Sequence, residues 1–499
     1  MVHKVQQEMS AGEVFLLILA TLLIFLFLFG CSSSSGSSRG SRKRVPPGSL
    51  GIPLIGQSLS FLRAMKKNMA EDWVQRKINK YGPIFKLNLF GTPTVFLCGP
   101  AANKFIFSTA DADALANKPP PSITRILGAH NLLELSGADH KRVRGALAFF
   151  LRPEMLKSYV GKIDTQVKEH VSTHWQGQTT VTVMPLLKTL VFNTICSLIF
   201  GLEKGCQRHS LVNDFKAMMD GIWSVPLNVP FTSFSRALRA SASARSALTR
   251  LARAKRASCL QGLVSPHQDL ITYLLSMKGE NGKESILSEE EVIDNALFVM
   301  SAGYDVSSTL ISFIIRILAT QPDVYANVAR EQEEIAKAKP PGDVLSWDDL
   351  SRMKYTWRVA LETLRVHPPV FGTFRTVLRD IEYGGYVIPK GWKVFWAAHA
   401  THMDPTIYAN PETFEPKRFE VGQSSVVPYS FVAFGAGSRM CPGAEFARIG
   451  TLVAIHHLVT RFTWTLSRPD QEAITRNPTL SLSLGLPICL QPKTLASLN

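Results

Sequence analysis

Phe434-Gly435-Ala436-Gly437-Ser438-Arg439-Met440-Cys441-Pro442-Gly443 is the stretch from which the rest of this 499-residue chain can be read. One cysteine stands among three glycines, with a proline after it and a cation two residues before. A thiolate offered to a metal ion is favoured by backbone N–H groups turned toward the sulfur. Gly admits the positive φ and the close approach that such turns require, and Gly435, Gly437 and Gly443 bracket the cysteine in that sense. Pro442 stiffens the exit, and Arg439 offers a charge-assisted donor to an anionic group. A lone cysteine is ordinarily a small buried hydrophobe. Three glycines, an arginine and a proline placed around one Cys argue against that here.

Outward from this loop, composition sets the class. Hydrophobic residues make up 45% and charged residues 19%, which suits a large core and excludes disorder. The formal charge of +16 asks for a partner. No zinc knuckle, helix-turn-helix or aromatic-basic RNA motif is present, so nucleic acid is not expected. Anionic lipid and an acidic electron-transfer protein fit better. The seven cysteines (31, 98, 196, 206, 259, 441 and 489) are scattered, odd in number and form no C-x-x-C, which points to a reducing compartment.

Val14 to Phe29 is an uninterrupted run of apolar or small residues that, with Gly30 and Cys31, just reaches the roughly 17–20 residues a membrane helix needs. Gly30-Cys31-Ser32 is a rival cleavage site, and Leu28-Phe29-Gly30-Cys31 resembles a lipobox. The positive charges lie after the run, at Arg39, Arg42, Lys43 and Arg44, which leaves the N-terminus outside and the following domain in the cytoplasm. A retained anchor is expected. Ser32 to Arg44 reads as a flexible tether, and Pro46-Pro47-Gly48-Ser49 as a semi-rigid hinge.

Residues 84–98 alternate as a hairpin about Gly91-Thr92-Pro93. Helical periodicity then dominates, at about 153–175, 181–201, 208–223, 236–263, 288–319, 322–337 and 354–366. A β-rich patch covers about 374–396, with Gly384-Gly385 as a turn. The basic run Arg236, Arg239, Arg245, Arg250, Arg253, Lys255 and Arg256 is either a solvated helix face or a lipid contact.

The pattern F-x-x-G-x-R-x-C-x-G resembles the haem-binding loop of the cytochromes P450, the haem-thiolate monooxygenases. Further motifs agree in order. Leu361-Glu362-Thr363-Leu364-Arg365 resembles the family's E-x-x-R helix, and Pro416-Lys417-Arg418-Phe419 the P-x-R-F element. The resemblance implies that Arg418 joins Glu362 and Arg365 in a structural network. His140 and Arg144 match W-x-x-x-R with His in place of Trp, and Arg375 matches a strand arginine; these imply propionate contacts. Ser301-Ala302-Gly303-Tyr304-Asp305-Val306-Ser307-Ser308 resembles the A-G-x-[DE]-T-[TS] element. There Ala302 and Gly303 would leave room for oxygen and Asp305 would relay protons. Val306 replaces the oxygen-activating Thr and has no hydroxyl to donate. Ser307 lies about 100° further round the helix. A water or a substrate hydroxyl could fill the gap, or the change marks weak coupling or different chemistry.

The resemblance implies a mainly α fold with a smaller β-rich region. Its expected organisation is a lumenal N-terminus (1–13), a signal anchor (14–31), a linker and hinge (32–50) and a haem-thiolate catalytic domain (51–499). It further implies haem b ligated by Cys441, with Phe434, Gly435, Arg439 and Gly443 about it. Electrons would come from NADPH through NADPH–cytochrome P450 reductase, with cytochrome b5 as a second donor, at the endoplasmic reticulum membrane. Phe431 to Arg448 and Gly137 to Arg142 resemble the plant branch of triterpene oxidases, taxane hydroxylases and brassinosteroid oxidases, implying a bulky apolar terpenoid or steroid-like substrate. Ser122–Leu132, Phe298, Ala302, Val370–Thr373 and Leu480–Leu484 are the implied lining, with Leu484–Ile488 as a hairpin entering the pocket. The alternative is a reductase-independent isomerase or dehydratase, to which Val306 points.

Overall fold

The computed structural model describes residues 44–493 apart from 53–54, 109–113, 203–204, 266, 279–284, 341, 421, 423–426 and 477–478. The expected lumenal segment, the anchor and nearly all of the tether lie outside the described residues.

Strands β1 (Ile84–Leu89) and β2 (Thr92–Leu97) form the expected hairpin. Its turn is Phe90-Gly91, both at positive φ (53° and 73°), the two-residue geometry that matches strand twist. The expected Gly91-Thr92-Pro93 centre is a residue late, because Thr92 and Pro93 already pair with Leu89 and Asn88. A short strand β3 (Thr180–Thr182) precedes the central helices. Strands β4 (Gly372–Val377) and β5 (Lys393–Ala397) extend the hairpin into a mixed sheet, β5 parallel to β2 and antiparallel to β4. Gly384 and Gly385 make the expected turn beside it, at φ 59° and 78°. Gly48–Ser49 pairs with Lys86–Leu87, and Lys86 Nζ donates to the Pro46 carbonyl at 2.6 Å. The sheet thus begins inside residues expected to be hinge.

The principal helices are α1 (Pro100–Ser108), α2 (Pro121–Leu127), α3 (Gly137–Phe150), α4 (Val160–His174), α5 (Val183–Ile199), α6 (Cys206–Gly221) and α7 (Ser233–Leu260). They continue as α8 (Glu289–Thr320), α9 (Pro322–Lys337), α10 (Lys354–Val366), α11 (Ala398–His402) and α12 (Ala444–Val459). Helix α8 is the axis. Ser288 and Glu291 cap it reciprocally, and three glutamates in its first turn oppose the helix dipole. Val292, Met300, Phe313 and Ile314 are fully buried. Among the described residues α8 is the one helix long and apolar enough to cross a membrane, but over half of its most apolar window is packed inside the protein. It is a core helix.

Two expectations need correction. The helix expected from 181 begins at Val183, because Thr180–Thr182 pairs with Pro487–Cys489. Leu484–Ile488 does not form a pocket-entering hairpin. The C-terminal strands are β6 (Phe462–Leu466), β7 (Ile474–Arg476), β8 (Leu480–Leu482) and β9 (Pro487–Pro492). The crossing from β8 to β9 lies on the start of α5, whose Val183 and Met184 N–H groups donate to the Leu486 and Gly485 carbonyls. The hairpin beside α8 is β7–β8: Leu480 N–H donates to Pro369 and Thr309 Oγ1 to the Leu480 carbonyl.

Candidate active site

The cysteine loop is built from backbone outward. Gly435 and Gly437 take φ of 68° and 64°, as expected. A Cβ at Gly437 would meet the Phe107 carbonyl oxygen at 2.1 Å, so α1 itself demands glycine there. Gly437–Arg439 winds into a 3₁₀ turn, and Cys441 N–H donates to the Phe434 carbonyl at 2.8 Å. Gly443 differs from expectation: its φ is −91°, and it caps α12. Its contribution is proximity, since its N–H faces the Cys441 sulfur. The Cys441 side chain is exposed, yet the protein packed around it raises its thiol pKa by burial, while Gly443 N–H and the Arg144 charge pull the other way. A bound metal cation would reverse that balance in favour of the thiolate.

Four basic groups gather around the loop. Arg144 Nη2 donates to the Met440 carbonyl at 2.7 Å, and Arg439 Nη2 to the Leu135 carbonyl at 2.8 Å. Arg375 Nη1 donates to Thr373 Oγ1 at 2.7 Å. Burial, followed by the charges of Arg439 and Arg144, pushes His140 down to about 4. Burial and the Arg439 charge push Arg375 down to about 10. Among the described residues no carboxylate pairs with Arg144, Arg375 or Arg439. A site that concentrates cations and withholds its own counter-ions is fitted to a ligand with two carboxylates of its own. Haem, whose iron accepts a thiolate and which carries two propionates, would meet that requirement.

Behind the loop, Glu362 and Arg365 are both fully buried. Arg365 Nε and Nη2 each donate at 2.7 Å to one carboxylate oxygen. Glu415 N–H donates to Glu362 Oε1 at 2.9 Å, and Arg418 Nε stands 3.3 Å from the same oxygen. The remaining Arg365 donors go to the His402 and Pro411 carbonyls. The network implied by the motifs is present as geometry.

On α8 the expected roles separate. Ala302 is exposed and Gly303 half-buried. A Cβ at Gly303 would meet Ile195 Cδ1 at 3.0 Å, so glycine here lets α8 pack closely against α5. Asp305 Oδ1 is 2.7 Å from Lys188 Nζ, a partner the sequence did not suggest. Ser307 borders a small cavity with Leu190, Thr194, Ala447 and Thr451, between α5 and α12. Ser122, expected to line the pocket, is buried with its hydroxyl donating to Ile222. Thr124 and Arg125 instead border a cleft of ≈ 590 Å³ with Glu134 and Ser136, next to the Arg439 contact. Lys188 and His402 were missed because nothing in their local sequence distinguishes them.

A glycine loop that presents a thiolate, faced by unpaired cations and backed by a buried carboxylate–guanidinium lock, defines a haem-thiolate protein. The chain belongs to the cytochrome P450 family: the family model "Cytochrome P450" matches residues 46–489, and members are haem-dependent monooxygenases. It is 35% identical to the taxane 13-alpha-hydroxylase of Taxus cuspidata over 98% of this chain and 99% of that one. It is 38% identical to the beta-amyrin 28-monooxygenase of Kalopanax septemlobus, over 96% and 97%. The solved structure of retinoic acid-bound cyanobacterial CYP120A1 superposes with a TM-score of 0.79, at 28% identity, over 90% of this chain and 100% of that one.

Proposed function

We propose that this protein oxidises a bulky apolar terpenoid or steroid-like substrate with dioxygen, using electrons from NADPH delivered by NADPH–cytochrome P450 reductase, with cytochrome b5 as an accessory donor. The observation that carries the substrate class is end-to-end similarity to enzymes named for taxane and amyrin oxidation. Bound haem supplies the dioxygen chemistry, and thiolate ligation favours O–O cleavage. Cys441 is the axial ligand in this reading, and Arg144, Arg375, Arg439 and His140 receive the propionates. Asp305 moves protons. Loss of the red-shifted ferrous–CO band in Cys441→Ala is expected; its survival rejects the ligand assignment.

We place the catalytic domain on the cytoplasmic face of the endoplasmic reticulum, held by residues 14–31. The second lipid contact moves from the basic helix to the segment before it. Arg245 and Arg253 on α7 are engaged by Asp294 and Glu289 of α8, and Lys255 by Asp269. Trp223, Val225, Leu227, Val229 and Phe231, by contrast, are all exposed, Phe231 at 90%. A cluster of this kind suits a bilayer surface.

The deciding experiment incubates the purified protein, its reductase and NADPH with a terpenoid and sterol panel and reads products by mass spectrometry. Oxygenated product that requires NADPH supports the reading. Turnover at full rate without reductase favours the isomerase or dehydratase alternative, to which Val306 is the pointer.

A further inference from the structure

The Glu362–Arg365 pair and the cysteine loop are joined through His402, the last residue of α11. His402 is fully buried. Its carbonyl accepts from Arg365 Nη1 at 2.9 Å, and its ring Nδ1 lies 3.2 Å from the Arg365 carbonyl oxygen. On the opposite edge, Val432 N–H donates to Nε2 at 3.0 Å. A backbone N–H only donates, so Nε2 is the unprotonated nitrogen and Nδ1–H donates to Arg365. Burial pushes the ring's pKa down to about 3, so this neutral tautomer persists at working pH. Phe431 stacks on the same ring at 5.3 Å and 17°.

From Val432 the connection runs directly to the cysteine. The Val432 carbonyl accepts from Gly435 N–H at 2.8 Å, and the Phe434 carbonyl accepts from Cys441 N–H at 2.8 Å. Among the described residues, Val432 is the only backbone group between 431 and 438 hydrogen-bonded to a side chain from outside the loop. Tyr429 and Ser430 are tied upstream by Asn103 and Tyr408, and Met440 downstream by Arg144. The turn between them hangs on His402.

We infer that His402 is a positioning residue for the axial ligand: its imidazole is the crossbar that transmits the fixed geometry of the Glu362–Arg365 lock to Val432, and through Val432 to the turn that presents Cys441. The inference rests on the reading of Cys441 as ligand. An aromatic ring of the same shape without nitrogens would leave the buried Val432 N–H unpaired and free the turn to shift. Coupling would then be lost while packing was kept.

The test compares full-length holoprotein in four forms: wild type, His402→Phe, His402→Gln and His402→Asn. Two quantities are read: the lifetime of the red-shifted ferrous–CO band of thiolate-ligated haem, and the thermal midpoint by far-UV circular dichroism. Gln carries its amide to the position of Nε2, whereas Asn carries it only to that of Nδ1. Phe and Asn are expected to lose the thiolate band about tenfold faster with only a small fall in midpoint, and Gln to restore both. A wild-type lifetime in Phe overturns the inference while leaving Cys441 as ligand. So does loss of band and midpoint together in all three variants, with no rescue by Gln. If Phe does not fold, Asn decides: a wild-type lifetime there, with the Val432 partner gone, overturns the inference. Absence of the thiolate band in the wild type removes the ligand reading and this one with it.

Discussion

Lys188 Nζ lies 2.7 Å from Asp305 Oδ1, tying α5 to α8 one residue before the position where Val306 replaces a hydroxyl-bearing residue. Both side chains keep contact with water, at 36% and 20% exposure. The carboxylate is therefore held at the boundary between solvent and the interior rather than turned freely inward. A partly exposed pair of this kind contributes little stability, about 0–1 kcal/mol. Its interest lies in proton movement.

If protons pass from water through this pair, the two residues act as one unit. Asp305→Asn is expected to lower turnover by about 10²–10³, within the range of a lost general acid. Lys188→Gln alone should cost less, about tenfold, and should add nothing in the Asp305→Asn background. Steady-state rates for the four members of the cycle check this. Fully additive effects would show that Lys188 acts elsewhere.

The Glu362–Arg365 lock predicts an asymmetric response. Arg365→Ala strands a buried carboxylate and should destabilise the folded protein by about 3–5 kcal/mol. Arg365→Lys retains charge but offers one point where the fork makes two parallel bonds, and four acceptors depend on that geometry. Haem content after purification should fall nearly as far in Arg365→Lys as in Arg365→Ala. Wild-type haem content in the lysine variant would show that charge alone suffices.

Acid should unfold this protein early. Burial pushes His140, His170 and His367 to about 4 and His399, His402 and His456 to about 3. Each is neutral when folded and binds a proton near pH 6.5 when unfolded, so the unfolded state takes up protons first as pH falls. Stability is full above about pH 6.5 and is lost progressively down to about pH 4, by up to about 1.4 kcal/mol per unit for each such group. His170 isolates one group, because its Nε2 is buried without a partner and its neighbouring charge is His174. His170→Leu should flatten the acid limb of urea midpoints measured from pH 7 to 4. An unchanged slope would remove His170 from the account.

What was legible in the chain follows the range of the interactions. The cysteine loop and the Glu362–Arg365 pair are local, so short motifs resembling those of a known family carried them. Partners distant in sequence were silent: Lys188 and Asp305, His402 and Val432, and Asp294 and Arg245. Helix α12 was passed over because it is apolar on nearly every face, and a helix buried all round shows no periodicity. The C-terminal hairpin was misplaced for a related reason. Ile474–Arg476 and Leu484–Ile488 both look like strands, and which of them folds back against α8 is set by pairing register, which neither segment carries by itself.

The sharpest local departure gives the last prediction. Val306 leaves α8 without a hydroxyl beside Asp305, and the structure places Ser307 on another flank, against α5 and α12. Neighbouring hydroxyls are committed as well: Ser308 donates to the Tyr304 carbonyl, Ser301 to Leu297 and Thr309 to Leu480. None of these three hydroxyls is therefore free to replace the missing donor. Loss of one positioned donor typically costs about 10²–10³ in rate. A protein that tolerates Val306 must take the hydrogen bond from water or substrate, couple poorly, or run chemistry that needs no such bond. Val306→Thr discriminates among these. The exchange keeps shape but buries a hydroxyl, which can donate to the Ala302 carbonyl one turn back. If coupling is poor, the variant should raise the fraction of NADPH electrons recovered in oxygenated product and lower peroxide release. If water or substrate already supplies the bond, coupling stays at the wild-type value while Asp305→Asn remains impaired. That second pattern rejects Val306 as the limiting residue.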